Sequence, residues 1–245
     1  MARKPLTLAI DIGGTGLKAG ILDADANLIV PHARVDTPKK GTPDQVLNAL
    51  LGLIEPLGAF DRISVGFPGV VRAGHVMTAP NLDNEAWRDY PLAAVLTDRL
   101  GKPVRMLNDA TVHGLGVIAR SGLECVITLG TGFGFALFDN GRLTPHLELA
   151  HHPIRTGKDY DEYVGEAALL AVGRRRWNRR LARALACVRN LTSYDVLYIG
   201  GGNARNIKLT LDQNVHVVGN DAGITGGVRL WDRRLDVAFT TEQHA

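Results

Sequence analysis

The sequence predicts an α/β protein assembled from two copies of one folding unit, on three observations. Short apolar runs rich in Ile, Val and Leu alternate with stretches of helical period. A strand, glycine-turn, strand pattern near the N-terminus, AIDIGGTGLKAGILDADANL over residues 9–28, returns about 115 residues later as ITLGTGFGFALFDNGRL over residues 127–143. Between the copies, an apolar strand runs straight into Asn108-Asp109 and a helix, which puts an acid at the carboxyl end of a sheet, where open α/β folds place ligands.

The elements follow in order. In residues 6–23 both flanks of Gly13-Gly14-Thr15-Gly16 are short and apolar, which predicts two strands joined by a glycine turn rather than a strand leading into a helix. The common helix-dependent phosphate loops are absent. GxGxxG fails at Ala19, and the Gly-Lys pairs at 101–102 and 157–158 are followed by Pro and Asp. Residues 25–35 make a turn and a further strand. Thr42-Pro43-Asp44-Gln45 starts a helix, with Thr42 as N-cap, Pro43 at its first position and Gln45 set for a capping box. Val46, Leu47, Leu50, Leu51 and Ile54 give that helix its apolar face. Residues 63–67 form a strand, 78–89 an irregular polar stretch with Asn81 and Trp87, 91–100 a helix closed by Gly101, 104–107 a strand and 110–120 a helix. Residues 125–130 and 135–138 are strands about the second glycine turn, and 144–159 a loop. Residues 161–189 read as one long helix, with Leu170, Gly173, Trp177, Leu181 and Leu185 on a stripe and Arg175, Arg176, Arg179, Arg180 and Arg183 elsewhere on its surface. Strands at 196–199 and 215–218 flank Gly200-Gly201-Gly202-Asn203 and a short helical piece. A small-residue helix runs from 221 to about 231, and the tail 242–245 is expected to fray. No low-complexity linker divides the chain, so a domain break falls at a hinge near 109–110. The expected division is a smaller domain of residues 1–109, completed by a helix over 225–245, and a larger one of residues 110–224.

Composition narrows the class. The 245 residues are 45% hydrophobic and 22% charged, enough for a real core and unlike a disordered chain. A net charge of +3 is too small to argue for nucleic acid. No segment approaches a membrane span, and the apolar N-terminal run is too short for a signal peptide, so a cytoplasmic protein with no membrane partner is expected. Cys125 and Cys187 sit in apolar contexts without metal-ligand spacing, which predicts buried reduced thiols.

Several residues could carry chemistry. Read alone, Asp11, Gly13, Gly14, Thr15 and Lys18 fit either a plain tight turn or a bare backbone that a phosphate can approach. Asp109 is the best single candidate. A helix N-terminus favours the ionised form that a proton acceptor needs, although an N-cap role alone would also suit Asp. Glu148 and His151 offer a carboxylate and an imidazole to sugar hydroxyls, the alternative being solvated loop residues. His146, His151 and His152 lack the pattern of a metal site. Gly201 and Gly202 let a base or ribose lie against backbone. The arginines of residues 174–183 fit either an extended polyanion or a solvated helix face.

Taken together, these motifs resemble the ROK family of sugar kinases within the hexokinase/actin-like superfamily, over nearly the whole chain. Asp11-Ile12-Gly13-Gly14-Thr15 with Lys18 resembles the first phosphate motif and Leu107-Asn108-Asp109-Ala110 the catalytic stretch. Thr128-Leu129-Gly130-Thr131-Gly132-Phe133-Gly134 resembles the second phosphate motif, Glu148-Leu149-Ala150-His151 the sugar motif, and Ile199-Gly200-Gly201-Gly202 the adenosine motif. Residues 155–166 hold no cysteine, so the structural zinc of some members is not expected. Only five residues precede Leu6, which leaves no room for the winged helix of the DNA-binding members and argues against a nucleic-acid partner. Phe67-Pro68-Gly69-Val70-Val71 and Asn81-Leu82-Asp83 resemble the polyphosphate/ATP glucokinase and glucomannokinase branch.

The resemblance implies two duplicated actin-like (ribonuclease H-like) domains with a hinge and an interdomain cleft, the two glycine turns facing each other across it with Asp109 on its wall. It also implies phosphoryl transfer from polyphosphate or ATP to the 6-hydroxyl of glucose, mannose or glucosamine. Asp109 would be the base, with Asn81, Asn108, Asp109, Glu148 and His151 holding the sugar and Glu162 taken as its further acid, in competition with Asp161 and Glu166. Gly130, Thr131, Gly132, Gly134, Gly201 and Gly202 join the first turn in holding the donor. Mg²⁺ is expected mainly through donor phosphates, with Asp11 as its nearest carboxylate, and a homodimer is common in such kinases. A non-catalytic sugar or polyphosphate sensor and a phosphate hydrolase are the competing expectations.

Overall fold

A computed structural model describes residues 3–219 and 222–239, which fall into two compact units. The first comprises residues 3–116 and 222–239, the second residues 117–219.

The first unit is built on a five-stranded sheet. Strands β1 (Thr7–Ile12), β2 (Gly16–Leu22) and β3 (Ala33–Asp36) form an antiparallel meander. Helix α1 (Pro43–Ile54) then carries the chain to β4 (Arg62–Phe67), which lies parallel to β1. After the small hairpin β5 (Val71–Arg72) and β6 (His75–Val76), helices α2 (Asn84–Trp87) and α3 (Leu92–Leu100) lead to β7 (Val104–Asn108), parallel to β4. Helix α4 (Asp109–Val117) follows without a loop. The strand order is β3-β2-β1-β4-β7.

The second unit repeats this plan. Strands β8 (Leu123–Leu129), β9 (Phe133–Asp139) and β10 (Arg142–Leu143) form the meander. The hairpin β11 (Pro153–Arg155) and β12 (Lys158–Asp159), helix α5 (Tyr160–Val164) and the long α6 (Glu166–Thr192) precede β13 (Val196–Gly200) and β14 (Val215–Val217). The order β10-β9-β8-β13-β14 matches the first sheet strand for strand, with β13 parallel to both β8 and β14. The duplication expected from the two glycine hairpins is therefore a duplication of whole sheets.

Each unit has its own apolar core. In the first, Trp87 is fully buried beside Phe67 and Tyr90, and its indole N–H donates to Gly41 O at 2.6 Å. That anchor orders the 78–91 stretch, which holds the short α2 rather than irregular chain alone, because Asp83 accepts from Ala86 N and caps it. In the second, Trp177 is fully buried and donates to Val164 O at 2.8 Å, tying α6 to the end of α5.

Several sequence expectations change in detail. Pro43 does start α1 behind Thr42, but no side-chain capping bond forms. Asp44 and Gln45 are exposed, where solvent meets the first-turn donors. The expected helix over 161–189 is two helices, and α6 itself bends at Gly173, whose φ of 72° and ψ of 157° break the helical phase. Trp177, Leu181 and Leu185 are buried beyond the bend, whereas Leu170 before it is 78% exposed. Cys125 is buried and its thiol pushed up by desolvation, but Cys187 is only partly buried. The last small-residue helix is one α-turn, α7 (Ala222–Thr225), continued by 3₁₀ turns at Gly226–Trp231 and Arg233–Ala238. Residues 240–245, with the expected fraying tail, lie outside the described residues.

Candidate functional site

In the first unit, parallel register decides what comes together. Asp11 on β1 pairs with Gly66 on β4, and Gly66 with Leu107 on β7, so Asp11 and the β7–α4 junction share the carboxyl edge of the sheet. Gly66 is tight for a reason: a Cβ there would lie 3.4 Å from Asp109 Cα and 3.6 Å from Val112 Cβ, so the glycine lets α4 start close to the sheet. Asn108 fastens this junction. Its Oδ1 accepts from Ala110 N at 3.0 Å and Thr111 N at 3.3 Å as an N-cap, while its Nδ2 donates to Gly69 O at 3.2 Å. Asp109 opens α4, with Oδ1 accepting from Ala110 N at 2.8 Å.

The first glycine turn is closed by Gly13 N to Gly16 O at 2.9 Å and braced by the Thr37 hydroxyl, which donates to Gly13 O at 2.6 Å. A Cβ on Gly14 would stand 2.8 Å from Asn81 Cβ, so the turn and the Trp87-anchored loop meet at Asn81. Beneath the turn, Lys18 Nζ bonds Asp11 Oδ2 at 3.2 Å. His113, one helical turn past Asp109, is 4% exposed and its Nε2 makes no hydrogen bond among the described residues. Burial holds its imidazole below the ordinary value, Asp11 pulling the other way and Lys18 adding to the depression. Gly223 covers both groups: a Cβ there would lie 3.5 Å from Asp11 Oδ2 and 3.9 Å from His113 Nδ1. Sequence reading passed over His113, although its position four residues after Asp109 marks the same helix face.

In the second unit, Gly130 N donates to Gly132 O at 3.1 Å and closes the matching turn. Helix α6 begins against it, Glu166 N reaching Gly130 O at 3.0 Å and Thr131 O at 3.2 Å, and Asn203 Nδ2 donates to Gly130 O at 3.0 Å. Asp161 occupies the inner side, its Oδ1 accepting from Phe133 N at 2.6 Å and both oxygens lying 2.7 Å from where a Gly132 Cβ would be. Burial raises the Asp161 carboxyl above the ordinary range. The Phe133 N–H and His151 oppose that rise, and Asp159 and Glu148 add to it. Glu148 and His151 are thus each near enough to act on Asp161. His151 Nδ1 lies 3.5 Å from Asp159 Oδ2, and His146 Nε2 lies 3.3 Å from Glu148 Oε2.

Of the three acids competing as the further sugar ligand, Asp161 is the one set on the glycine turn. Glu162 is exposed and closes a capping box, its Oε2 accepting from Asp159 N at 3.3 Å. Glu166 is exposed at the start of α6. The triple glycine also has an internal explanation. Gly201 has φ 85°, and a Cβ on it would run into the backbone N and O of Leu129, so β8 itself requires that glycine. Gly202 faces open space.

These observations define a duplicated α/β protein with a glycine turn at the carboxyl edge of each sheet. The ROK family profile matches residues 7–147, and the chain belongs to the ROK family. It is 32% identical over 206 residues to the polyphosphate glucokinase of Mycobacterium leprae strain TN, covering 80% of this chain and 63% of that protein. Against the polyphosphate glucokinase of Mycobacterium tuberculosis H37Rv the identity is again 32%, over 80% of this chain and 77% of the other. The crystal structure of an inorganic polyphosphate/ATP-glucomannokinase from Arthrobacter sp. strain KM is similar at a TM-score of 0.83 and 31% identity, over 92% of this chain and 97% of that one. A ROK glucokinase from Streptomyces griseus, solved with glucose and AMPPNP, shares the fold at a TM-score of 0.79 and 20% identity, over 92% and 98% of the two chains.

Proposed function

We propose that this chain is a hexokinase that moves a phosphoryl group from polyphosphate or ATP to the 6-hydroxyl of glucose, with mannose or glucosamine as further acceptors. The observation that carries the reading is the shared carboxyl edge of β1, β4 and β7, where Asp11, the glycine turn and Asp109 are held by register. In the reaction the hexose 6-oxygen attacks the terminal phosphorus, the bond from phosphorus to the leaving phosphate breaks, and Asp109 takes the hydroxyl proton. Backbone N–H groups of the two glycine turns and the Thr15 and Thr131 hydroxyls serve as donors to the phosphate oxygens. Asn81, Asp109, Glu148, His151 and Asp161 are the proposed hydrogen-bond partners for the sugar hydroxyls.

Asn108 acts through the junction it pins, since both ends of its amide are engaged with backbone. Asp11 is a partly exposed carboxylate paired with Lys18, and no cluster of three metal-ligating side chains occurs among the described residues. One carboxylate with phosphate oxygens suits Mg²⁺, which supplies neutralisation of the charge on the transferred group. No helix among the described residues is long and apolar enough to cross a membrane.

A coupled assay of glucose, mannose and glucosamine against ATP and polyphosphate tests the reading. Turnover is expected with at least one pair, and Asp109→Asn should lower kcat by about 10²–10⁴ while sugar binding persists. Tight sugar binding without turnover for any pair would replace the kinase with a sensor. Sugar-independent phosphate release would replace it with a hydrolase.

A further inference from the structure

The basic stretch of α6 is the strongest charge asymmetry in the chain. Residues 167–211 contain eight arginines and Lys208 against one acid, Asp195, so this stretch carries +8 where the whole chain carries +3. Asp195 is spent on the backbone of Leu123, whose N–H it accepts at 2.7 Å. Two of the arginines have structural duties: Arg180 lies over the Tyr163 ring and donates to Tyr163 O, and Arg189 pairs with Asp212 at 2.7 Å. Arg175, Arg176, Arg179 and Arg183 are exposed and make no ion pair among the described residues.

A merely solvated helix face interleaves acids and bases at four-residue spacing, because like charges so placed repel. Here Arg175, Arg179 and Arg183 repeat at that spacing with no acid between Glu166 and Asp195. On an α-helix they form a row with a step of roughly 6 Å, about 12 Å long. The row is also braced. Buried Asn178 donates to Arg174 O at 2.9 Å and to Asn206 O at 3.0 Å, and accepts from Lys208 N at 2.7 Å, fastening the segment with exposed Arg205 and Lys208 beside it. Both neighbours lead back to the second glycine turn, through Glu166 N and through Asn203 Nδ2, each bonded to Gly130 O.

We propose that the Arg175–Arg179–Arg183 row is a second binding surface, which holds distal phosphates of a linear polyphosphate chain while its end is used at the transfer site. A regular row of unpaired cations matches a flexible string of evenly spaced anions, and such binding gains by counterion release. The inference rests on the polyphosphate reading of the preceding section, and its test is separable from it.

The experiment compares wild type with R175Q/R179Q/R183Q, whose exposed positions leave the core intact, by equilibrium binding of labelled long-chain polyphosphate and of tripolyphosphate across a salt series. The variant is expected to lose about tenfold or more for the long chain at low salt, to bind tripolyphosphate as before, and to lower the salt slope by about three. Its KM for long polyphosphate should rise while its kcat with ATP stays the same. Unchanged affinity for the long chain would overturn the proposal. So would wild type binding a DNA duplex of equal charge as tightly, since the surface would then be an unselective or nucleic-acid site. If binding behaves as expected but no donor supports turnover, the surface stands and the hexokinase reading falls; turnover with unaltered binding in the variant reverses that result.

Discussion

Asp161 and Glu162 are neighbours with opposite surroundings. Asp161 is drawn onto Phe133 N and Gly132, where burial raises its carboxyl, while Glu162 is exposed and caps a helix. Asp161→Asn should raise the sugar KM by about tenfold or more, as expected when a charged hydrogen-bond partner is lost. Glu162→Gln should leave the kinetics alone and cost at most about 1 kcal/mol of stability in a melting curve. His113 makes a different prediction. A buried imidazole held below its ordinary value binds fewer protons folded than unfolded, so stability is fully present above about pH 6.5 and falls as pH drops through the folded value. The melting temperature should therefore decline as pH falls below about 6.5, and His113→Gln should flatten part of that decline. Asp11 and Lys18, the charged groups acting on this imidazole, oppose each other, so burial sets the direction.

At the scale of elements, two glycines decide how helices lie. Gly173 holds a backbone conformation open almost only to glycine, and the bend it makes sets the phase of the arginine row and of the buried Trp177, Leu181 and Leu185. Gly173→Ala should destabilise the protein by about 1–3 kcal/mol, read by denaturant titration. Gly226 lies where a Cβ would run into the carbonyl of Val112, and a Cβ on Gly116 would lie 3.2 Å from Gly226 Cα, so the C-terminal turn crosses α4 almost backbone to backbone. Gly226→Ala should cost about 1–3 kcal/mol by overpacking and lower the melting temperature by about 2–10 °C. The same change would disturb α4, so kcat should fall with stability rather than independently of it.

For the whole molecule, the chain leaves its first unit after residue 116 and returns to it at the described residues 222–239. The return is fastened on the sheet of the first unit: Ser64 Oγ donates to Gly227 O at 2.6 Å, Trp231 Nε1 donates to Ser64 Oγ at 2.9 Å, and Arg105 reaches Leu230 O at 2.8 Å. Ile224 and Val228 complete a small apolar cluster with Ala9 and Leu22. Removing everything after residue 219 should strip that face and leave the β1–β4–β7 sheet exposed. The expected outcome is an insoluble protein, or one whose circular-dichroism melt loses its cooperative transition.

Much of the fold and site was legible in one dimension because it depends on local periodicity and turn chemistry. Both glycine hairpins, the Pro43 and Gly101 helix boundaries, the strand running into Asn108-Asp109 and the order of motifs can all be read from neighbours in sequence. What needed the tertiary structure depends on groups distant in the chain. The capping box at Glu162 and the seat of Asp161 on Gly132, 29 residues apart, show why three equivalent-looking acids could not be ranked. The requirement of Gly201 for the Leu129 backbone and, among the described residues, the absence of a hydrogen bond at His113 Nε2 and of an ion pair at Arg175, Arg179 and Arg183 are likewise facts of packing. Residue type and spacing determined which chemistry this protein could hold. Burial and contact decided which residues are free to perform it, because a side chain's charge, partners and solvation are set by whatever the fold brings against it.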